Sequence, residues 1–234
     1  MQPLPASTGR PIGSAWSILE DVRARGFTPT GILDVGANRG DWTTMALSIY
    51  PSASVLMIEP LDEMDAPLLA ICQERSSCRH VKVGVGRVDG ELIQTISPDL
   101  VGSSFLPPRD EVKIRTGRQR STRVLTIDSV VAQYPDFRPD LVKLDIQGFE
   151  LEALMGGNKL FGTTELFIVE TSLYPFSSLN GEPIAREVIS FMADRSYEIY
   201  DIADFLRRPY DGALGQVDIV FAKNHGLLRS SNQW

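Results

Sequence analysis

The chain has 234 residues, 43% hydrophobic and 23% charged, with a formal net charge of −7. That balance fits one sizeable globular core, and the acidic excess argues against a broad nucleic-acid surface. No stretch approaches the roughly eighteen uninterrupted apolar residues of a membrane span. The opening MQPLPASTGRPIGSAW lacks a basic region followed by an apolar run, so it does not read as a secretory signal. The only cysteines, Cys72 and Cys78, have neither CxxC spacing nor a histidine partner, which argues against a disulfide scaffold or structural zinc. A cytoplasmic protein is the expectation.

In chain order, residues 1–13 are rich in Pro, Gly and Ser and read as a loose arm. Ser14 is placed to cap a helix over 14–25, with Trp16, Leu19 and Val22 on one face and Gly26 as its stop. Strand-like runs follow at 31–35, 54–58, 80–85, 140–145, 165–170, 197–201 and 216–222. Helical patterns fall at 40–49, 63–75, 148–155 and 182–194. This alternation predicts a mostly parallel seven-stranded sheet covered on both faces. No helix separates the last two strands, so the final one should run antiparallel. Residues 88–133 break the rhythm. They read as an inserted hairpin, 91–96 with 121–126, joined by a Pro/Arg-rich loop and followed by a short helix from Asp128. One domain over 14–234 is expected, with the basic run 109–123 read as a solvated loop.

The segment ILDVGANRGDW places an acid and a glycine turn at the end of the first strand. In open α/β sheets, ligands bind outside the carboxyl ends of the strands, where strand order reverses. Gly36 and Gly40 let the backbone approach a ligand. Glu59, closing LMIEP after the second strand, is placed to accept hydrogen bonds from ribose hydroxyls. The spacing is G-x-x-x-G rather than the dinucleotide fingerprint G-x-G-x-x-G, and no tyrosine has a lysine four positions on. An acid at Asp34 suits a cofactor with a positive amino group, which points to S-adenosyl-L-methionine.

These segments, with TIDSV, LVKLDIQGFELEALMGG and FIVE, resemble the FkbM-type S-adenosylmethionine-dependent methyltransferases over roughly residues 30–222. The resemblance implies a Rossmann-like class I methyltransferase fold. It also implies O-methyl transfer to a sugar or glycan hydroxyl, with polyketide or other secondary-metabolite methylation and a silent cofactor-binding module as alternatives. It puts Asp34 near the methionine end of the cofactor, Gly36, Asn38 and Gly40 in the cradle, and Glu59 on the ribose. Pro60, Leu61 and Val85 would flank the adenine. Where the family usually has Glu, this chain has Gln147, which keeps hydrogen-bonding reach but cannot act as a base.

An acceptor hydroxyl needs a proton acceptor nearby. Asp145, ending the fourth strand, is the first candidate, with helix capping as its alternative duty. Glu170, ending the fifth, is the second. Two carboxylates alone are a weak metal signal, so no metal is assigned. Glu150 and Glu152 are explained by the helix dipole, while Phe149 and Leu154 should pack on the sheet. His80 reads as a boundary residue before the third strand, and His225 should lie at the far end of the sheet. Residues 103–108 are candidates for a lid, and Tyr174 with Phe176 for an aromatic wall against a sugar ring. The expected partner is a small-molecule or glycan acceptor, with no nucleic acid or membrane span, and a homo-oligomer is left open.

Overall fold

Strand and helix patterns alternate because apolar residues recur at periods of two and of three to four. In a computed structural model that describes residues 12–176, 183–231 and 233, they fold into a three-layer sandwich. The elements are α1 (Ala15–Ala24), β1 (Gly31–Val35), α2 (Asp41–Ile49), β2 (Ser54–Ile58), α3 (Asp65–Glu74), β3 (Cys78–Val81), β4 (Gly84–Val85) and β5 (Gly90–Thr95). They continue with α4 (Glu111–Arg115), β6 (Gln119–Leu125), α5 (Ile127–Val131), β7 (Leu141–Leu144), α6 (Glu150–Met155), β8 (Leu166–Ser172), α7 (Ala185–Ala193), β9 (Tyr197–Arg207) and β10 (Leu214–Lys223).

The main sheet has the order β3-β2-β1-β7-β8-β10-β9. Strands β3, β2, β1, β7 and β8 are parallel, and β10 lies antiparallel between β8 and β9. Successive side chains of a strand face opposite layers. Accordingly Ile32, Met57 and Ile168 pack with α1, α2 and α3, while Leu33, Ile58 and Phe167 pack with α5, α6 and α7. All five residues of β1 and all seven of β8 are buried. Order reverses between β1 and β7, so their carboxyl ends part and open a crevice.

The seven-stranded sheet with its antiparallel last strand is as the sequence predicts. One strand is not. The run 80–85 divides: β3 joins the main sheet, whereas β4 pairs with β6 in a three-stranded sheet of order β4-β6-β5. The break falls at Lys82, which turns outward to Asp62 and Asp65, both at 2.7 Å, while the Val83 N–H donates to the Val81 carbonyl at 3.1 Å. Strand β5 pairs antiparallel with β6, so the inserted hairpin is present, and its loop carries the unexpected helix α4. His80 lies inside β3 rather than before it, with Nε2 at 3.3 Å from the Glu59 carbonyl oxygen. Phe149 packs on Phe105 of the insert at 5.5 Å, and Leu154 joins the core as expected. Residues 1–11 of the expected arm, and the start of the expected helix 182–194, lie outside the described residues. Gly13 donates its N–H to the Ile202 carbonyl at 3.0 Å.

The connection from β7 to α6 shapes the crevice floor. Gln147 (φ +57°) and Gly148 (φ +92°) are both left-handed, a conformation few non-glycine residues adopt. The buried Glu150 holds this turn, its Oε1 accepting from the N–H groups of Ile146 at 2.8 Å and Gly148 at 3.2 Å. Burial pushes the Glu150 carboxyl up to about 7.

Two stability outcomes follow from this packing. Tyr197 is fully buried; its hydroxyl donates to the Thr164 carbonyl at 2.6 Å and accepts from the Gly162 N–H at 3.0 Å. Tyr197→Phe leaves both backbone groups short of a partner, at a cost of roughly 1–3 kcal/mol. Thermal denaturation should register a Tm lower by about 2–10 °C. For Glu150 the folded value lies above the unfolded 4.5, so the protonated group stabilises fully below that pH. The contribution is lost as pH rises through about 7. Glu150→Gln cannot ionise and should flatten that part of the decline in Tm between about pH 5 and 8, whereas an unchanged slope would refute the assignment.

Candidate active site

A cleft of about 280 Å³ opens at the carboxyl ends of β1, β2 and β7, with the insert as its far wall. The turn after β1 contributes Gly36, Ala37, Asn38 and Arg39, and the start of α2 contributes Asp41 and Trp42. Gly36 has φ +80°, and a Cβ there would strike the backbone carbonyl of Asp145, so only glycine lets the ends of β1 and β7 lie this close. Gly40, also left-handed at φ +84°, is the N-cap of α2 and does not line the cleft. Asn38 is left-handed as well, at φ +48°.

Glu59 lies on the cleft wall, buried but for 5% of its surface. Its Oε2 accepts from the Asn38 N–H at 3.0 Å and its Oε1 from the Leu61 N–H at 3.1 Å, leaving lone pairs on both oxygens. Burial raises its pKa, and the two N–H groups oppose that rise. Pro60, Leu61, Val83 and Val85 give the cleft an apolar side, completed by Leu100, Val101 and Phe105 of the insert.

The floor is charged. Lys143 is buried, with its Nζ donating to Asp145 Oδ2 at 3.0 Å. Burial opposes the ammonium, but the charges of Asp145 and Asp34 outweigh it and hold the Lys143 pKa above its ordinary value. Asp34 is fully buried behind the cleft, in register with Lys143, and its Oδ2 accepts from the Thr43 hydroxyl at 2.6 Å. Its Oδ1 is the one buried side-chain polar atom without a hydrogen-bond partner among the described residues. Burial, chiefly, raises the Asp34 pKa.

Asp145 lines the cleft and Glu170 sits behind it on β8. The Gln147 amide lies between them, donating to Asp145 Oδ1 at 2.9 Å and to Glu170 Oε2 at 3.0 Å. Burial disfavours the Asp145 carboxylate, but Lys143 outweighs it and brings the pKa below the ordinary value. Burial, and then the Asp145 charge, push Glu170 well above its ordinary range. The shifts run in opposite directions, favouring the charge on Asp145 and the proton on Glu170. Asp145 does not cap α6, whose N-cap is Phe149 and receives no side-chain bond.

Of the residues singled out from sequence, Gly36, Asn38, Glu59, Pro60, Leu61, Val85 and Asp145 meet at this cleft, whereas Asp34, Gly40 and Glu170 stand behind its lining. Of the expected lid, Ser103 and Phe105 form part of the wall, and the Ser104 hydroxyl between them donates to the Gln147 carbonyl at 2.8 Å. Tyr174 and Phe176 lie beyond the end of β8, their rings 5.9 Å apart, with Arg208 stacked 4.2 Å from the Tyr174 ring. Lys143, Arg39, Trp42 and the clamp by Glu150 were not anticipated. The period-two pattern of LVKLD carried the one available signal, a lysine on a strand otherwise read as buried.

S-adenosylmethionine combines a flat base, a ribose diol, a sulfonium and a zwitterionic amino acid. The lining matches that set: an apolar side, a carboxylate with free lone pairs, and Arg39 with Asp41 as opposite charges beside the glycine turn. The family model described as the Methyltransferase FkbM domain matches residues 34–199. The curated protein "Methyltransferase sdnD" of Sordaria araneosa is 28% identical over 153 residues, 53% of this chain and 59% of that protein. This chain thus spans well under two thirds of that relative's length. The solved structure of Methyltransferase FkbM from Methylobacillus flagellatus KT superposes with a TM-score of 0.51 at 18% identity, covering 82% of this chain and 43% of that one. The chain belongs to the FkbM methyltransferase domain family, and S-adenosylmethionine is its cofactor.

Proposed function

We propose that the protein transfers a methyl group from S-adenosylmethionine to a hydroxyl of a sugar or glycan intermediate, with Asp145 as general base. The observation that carries this reading is a carboxylate held ionised by a buried ammonium at the mouth of the switch-point cleft. On this reading Glu59 binds the ribose diol, and Gly36, Ala37 and Asn38 face the methionine part. Pro60, Leu61 and Val85 flank the adenine. Asp34 acts from behind, as a charge partner of Lys143.

The cofactor supplies an electrophilic methyl on a positively charged sulfur. The chain's task is then to align an acceptor oxygen with that methyl and to take its proton. Asp145 accepts the proton of the acceptor hydroxyl. Lys143, nearly buried on the cleft floor with its Nζ bonded to Asp145, keeps Asp145 ionised. Glu170, protonated, cannot serve as the base in that state and supports Asp145 from the side. The sugar assignment is supported by the row Glu170, Asp218 and Asp204, paired in register across β8, β10 and β9 next to Asp145. Carboxyl groups suit hydroxyl-rich ligands. Exposed Tyr174 and Phe176 offer rings to stack on a sugar face.

Isothermal titration should detect S-adenosylhomocysteine and no NAD. Glu59→Ala should weaken that binding by about tenfold or more, the loss of a hydrogen-bonded carboxylate; unchanged affinity would remove Glu59 from the ribose site. Asp145→Asn should lower kcat by about 100-fold or more while the cofactor product still binds. The acid limb of the wild-type kcat profile should fall below the ordinary carboxylate range, because the base must be deprotonated and its pKa is lowered. Methyl transfer to macrolide or polyketide acceptors, with none to nucleotide sugars or glycans, would overturn the acceptor assignment.

A further inference from the structure

The Gln147 carboxamide uses both of its N–H donors on carboxyl groups, one on Asp145 and one on Glu170. It does so from a left-handed backbone, φ +57°, that a non-glycine residue adopts only where its surroundings hold it. Two contacts hold it. Glu150 accepts from the N–H groups on either side, those of Ile146 and Gly148, and the Ser104 hydroxyl donates to the Gln147 carbonyl. The side chain is thus aimed at the carboxyl pair by the β7–α6 turn beneath it and by the insert across the cleft.

The donors around Asp145 can be counted. Lys143 donates to Oδ2 and Gln147 to Oδ1. A carboxylate has about four lone-pair sites, so each oxygen keeps roughly one for an incoming hydroxyl. Two carboxyl groups this close cannot both ionise cheaply, and the pair therefore keeps one proton. Lys143 binds Asp145 alone and favours the charge there; the amide adds a second donor to that carboxylate, and without it Asp145 takes up the proton more readily.

We propose that Gln147 is a positioning residue for methyl transfer, its amide bridging the carboxyl pair so that Asp145, held by Lys143 and by the amide, stays ionised with a lone pair open to the acceptor. The proposal rests on Asp145 being the base, but its effect on the pair is measurable without any acceptor. The charged and titratable groups facing the pair are Lys143 on β7, Asp34 on β1, Glu150 on α6 and Asp218 on β10, with Asp204 on β9 beyond. The raised Glu170 and lowered Asp145 values agree with this arrangement.

Carboxyl ¹³C NMR titration of the full chain reads the two groups directly. In the wild type, the Glu170 carbon should keep its protonated shift through neutral pH, with Asp145 ionised throughout. Gln147→Ala and Gln147→Glu both remove the paired donors, and in each the Asp145 midpoint should rise by about one pH unit, the loss of one charge-assisted hydrogen bond. The acid limb of kcat should rise with it. Ser104→Ala, which frees the Gln147 carbonyl without touching the amide, should move the midpoint the same way but less. Thermal melts identify any variant that fails to fold, and the others then carry the test. An unshifted Asp145 midpoint in folded Gln147→Ala and Gln147→Glu, or a wild-type Glu170 ionised at neutral pH, would overturn the proposal. Full turnover in Asp145→Asn would instead overturn the base assignment and leave the titration result standing.

Discussion

A single buried ammonium organises the floor of this protein. Lys143 sits mid-strand on β7, 6% exposed, with Asp34 in register on β1 and Asp145 two residues on along its own strand. Burying an isolated charge costs far more than a small domain can spare, so buried ions occur paired and hydrogen-bonded. Here each partner makes the others tolerable. Lys143 balances the ionised Asp145, and Asp34 is steadied by the Thr43 hydroxyl on α2. Removing the ammonium alone would leave neighbouring carboxyl groups in a low-dielectric floor with nothing to oppose them. The glycine turn above depends on the same packing, because Gly36 presses against the Asp145 carbonyl that follows from it.

The cleft is built differently on its two sides. On the β1–β2 side, the Gly36 and Ala37 N–H groups both donate to the Ile58 carbonyl, and Glu59 takes the N–H groups of Asn38 and Leu61. That side is fixed by main-chain geometry and by side chains bound to it. The opposite wall comes from the 96–106 segment, tied down by the paired Thr95 and Ser104 backbones and by the Ser104 hydroxyl. It presents the apolar side chains of Leu100, Val101 and Phe105 to the cleft.

What was legible in the sequence follows from the range of the signal. The glycine turn, Glu59 and the strand–helix alternation are local, and periodicity with turn chemistry is enough to read them. The break between β3 and β4 was hidden because HVKVGV reads as one apolar run, and only the outward pull of Asp62 and Asp65 on Lys82 divides it. Glu150 was read as a dipole residue because its real partners are N–H groups of the preceding turn, which become available only once Gln147 and Gly148 turn left-handed. Gln147 itself reads from sequence as a side chain with the reach to hydrogen-bond its neighbours but no basicity. Which neighbours could not be read, because Glu170 reaches it through the pairing of β7 with β8.

Asp218 shows the same limit and extends the chemistry. It lies in the middle of QVDIVFA, where an acid in an apolar run has no local explanation. Because β10 is reversed, its middle is brought level with the carboxyl end of β8, and Asp218 pairs with Glu170 on one side and Asp204 on the other. Burial, and then the Asp145 charge, push Asp218 up to about 6. Going outward from Asp145, whose pKa is lowered, the row continues with Glu170 and Asp218, which hold their protons more tightly than usual. A protonated carboxyl both donates and accepts, whereas an ionised one only accepts. Where Glu170 and Asp218 hold their protons they can donate as well as accept. A parallel last strand would have put a different residue in that place, so the one reversed strand of the sheet also decides which groups stand next to the base.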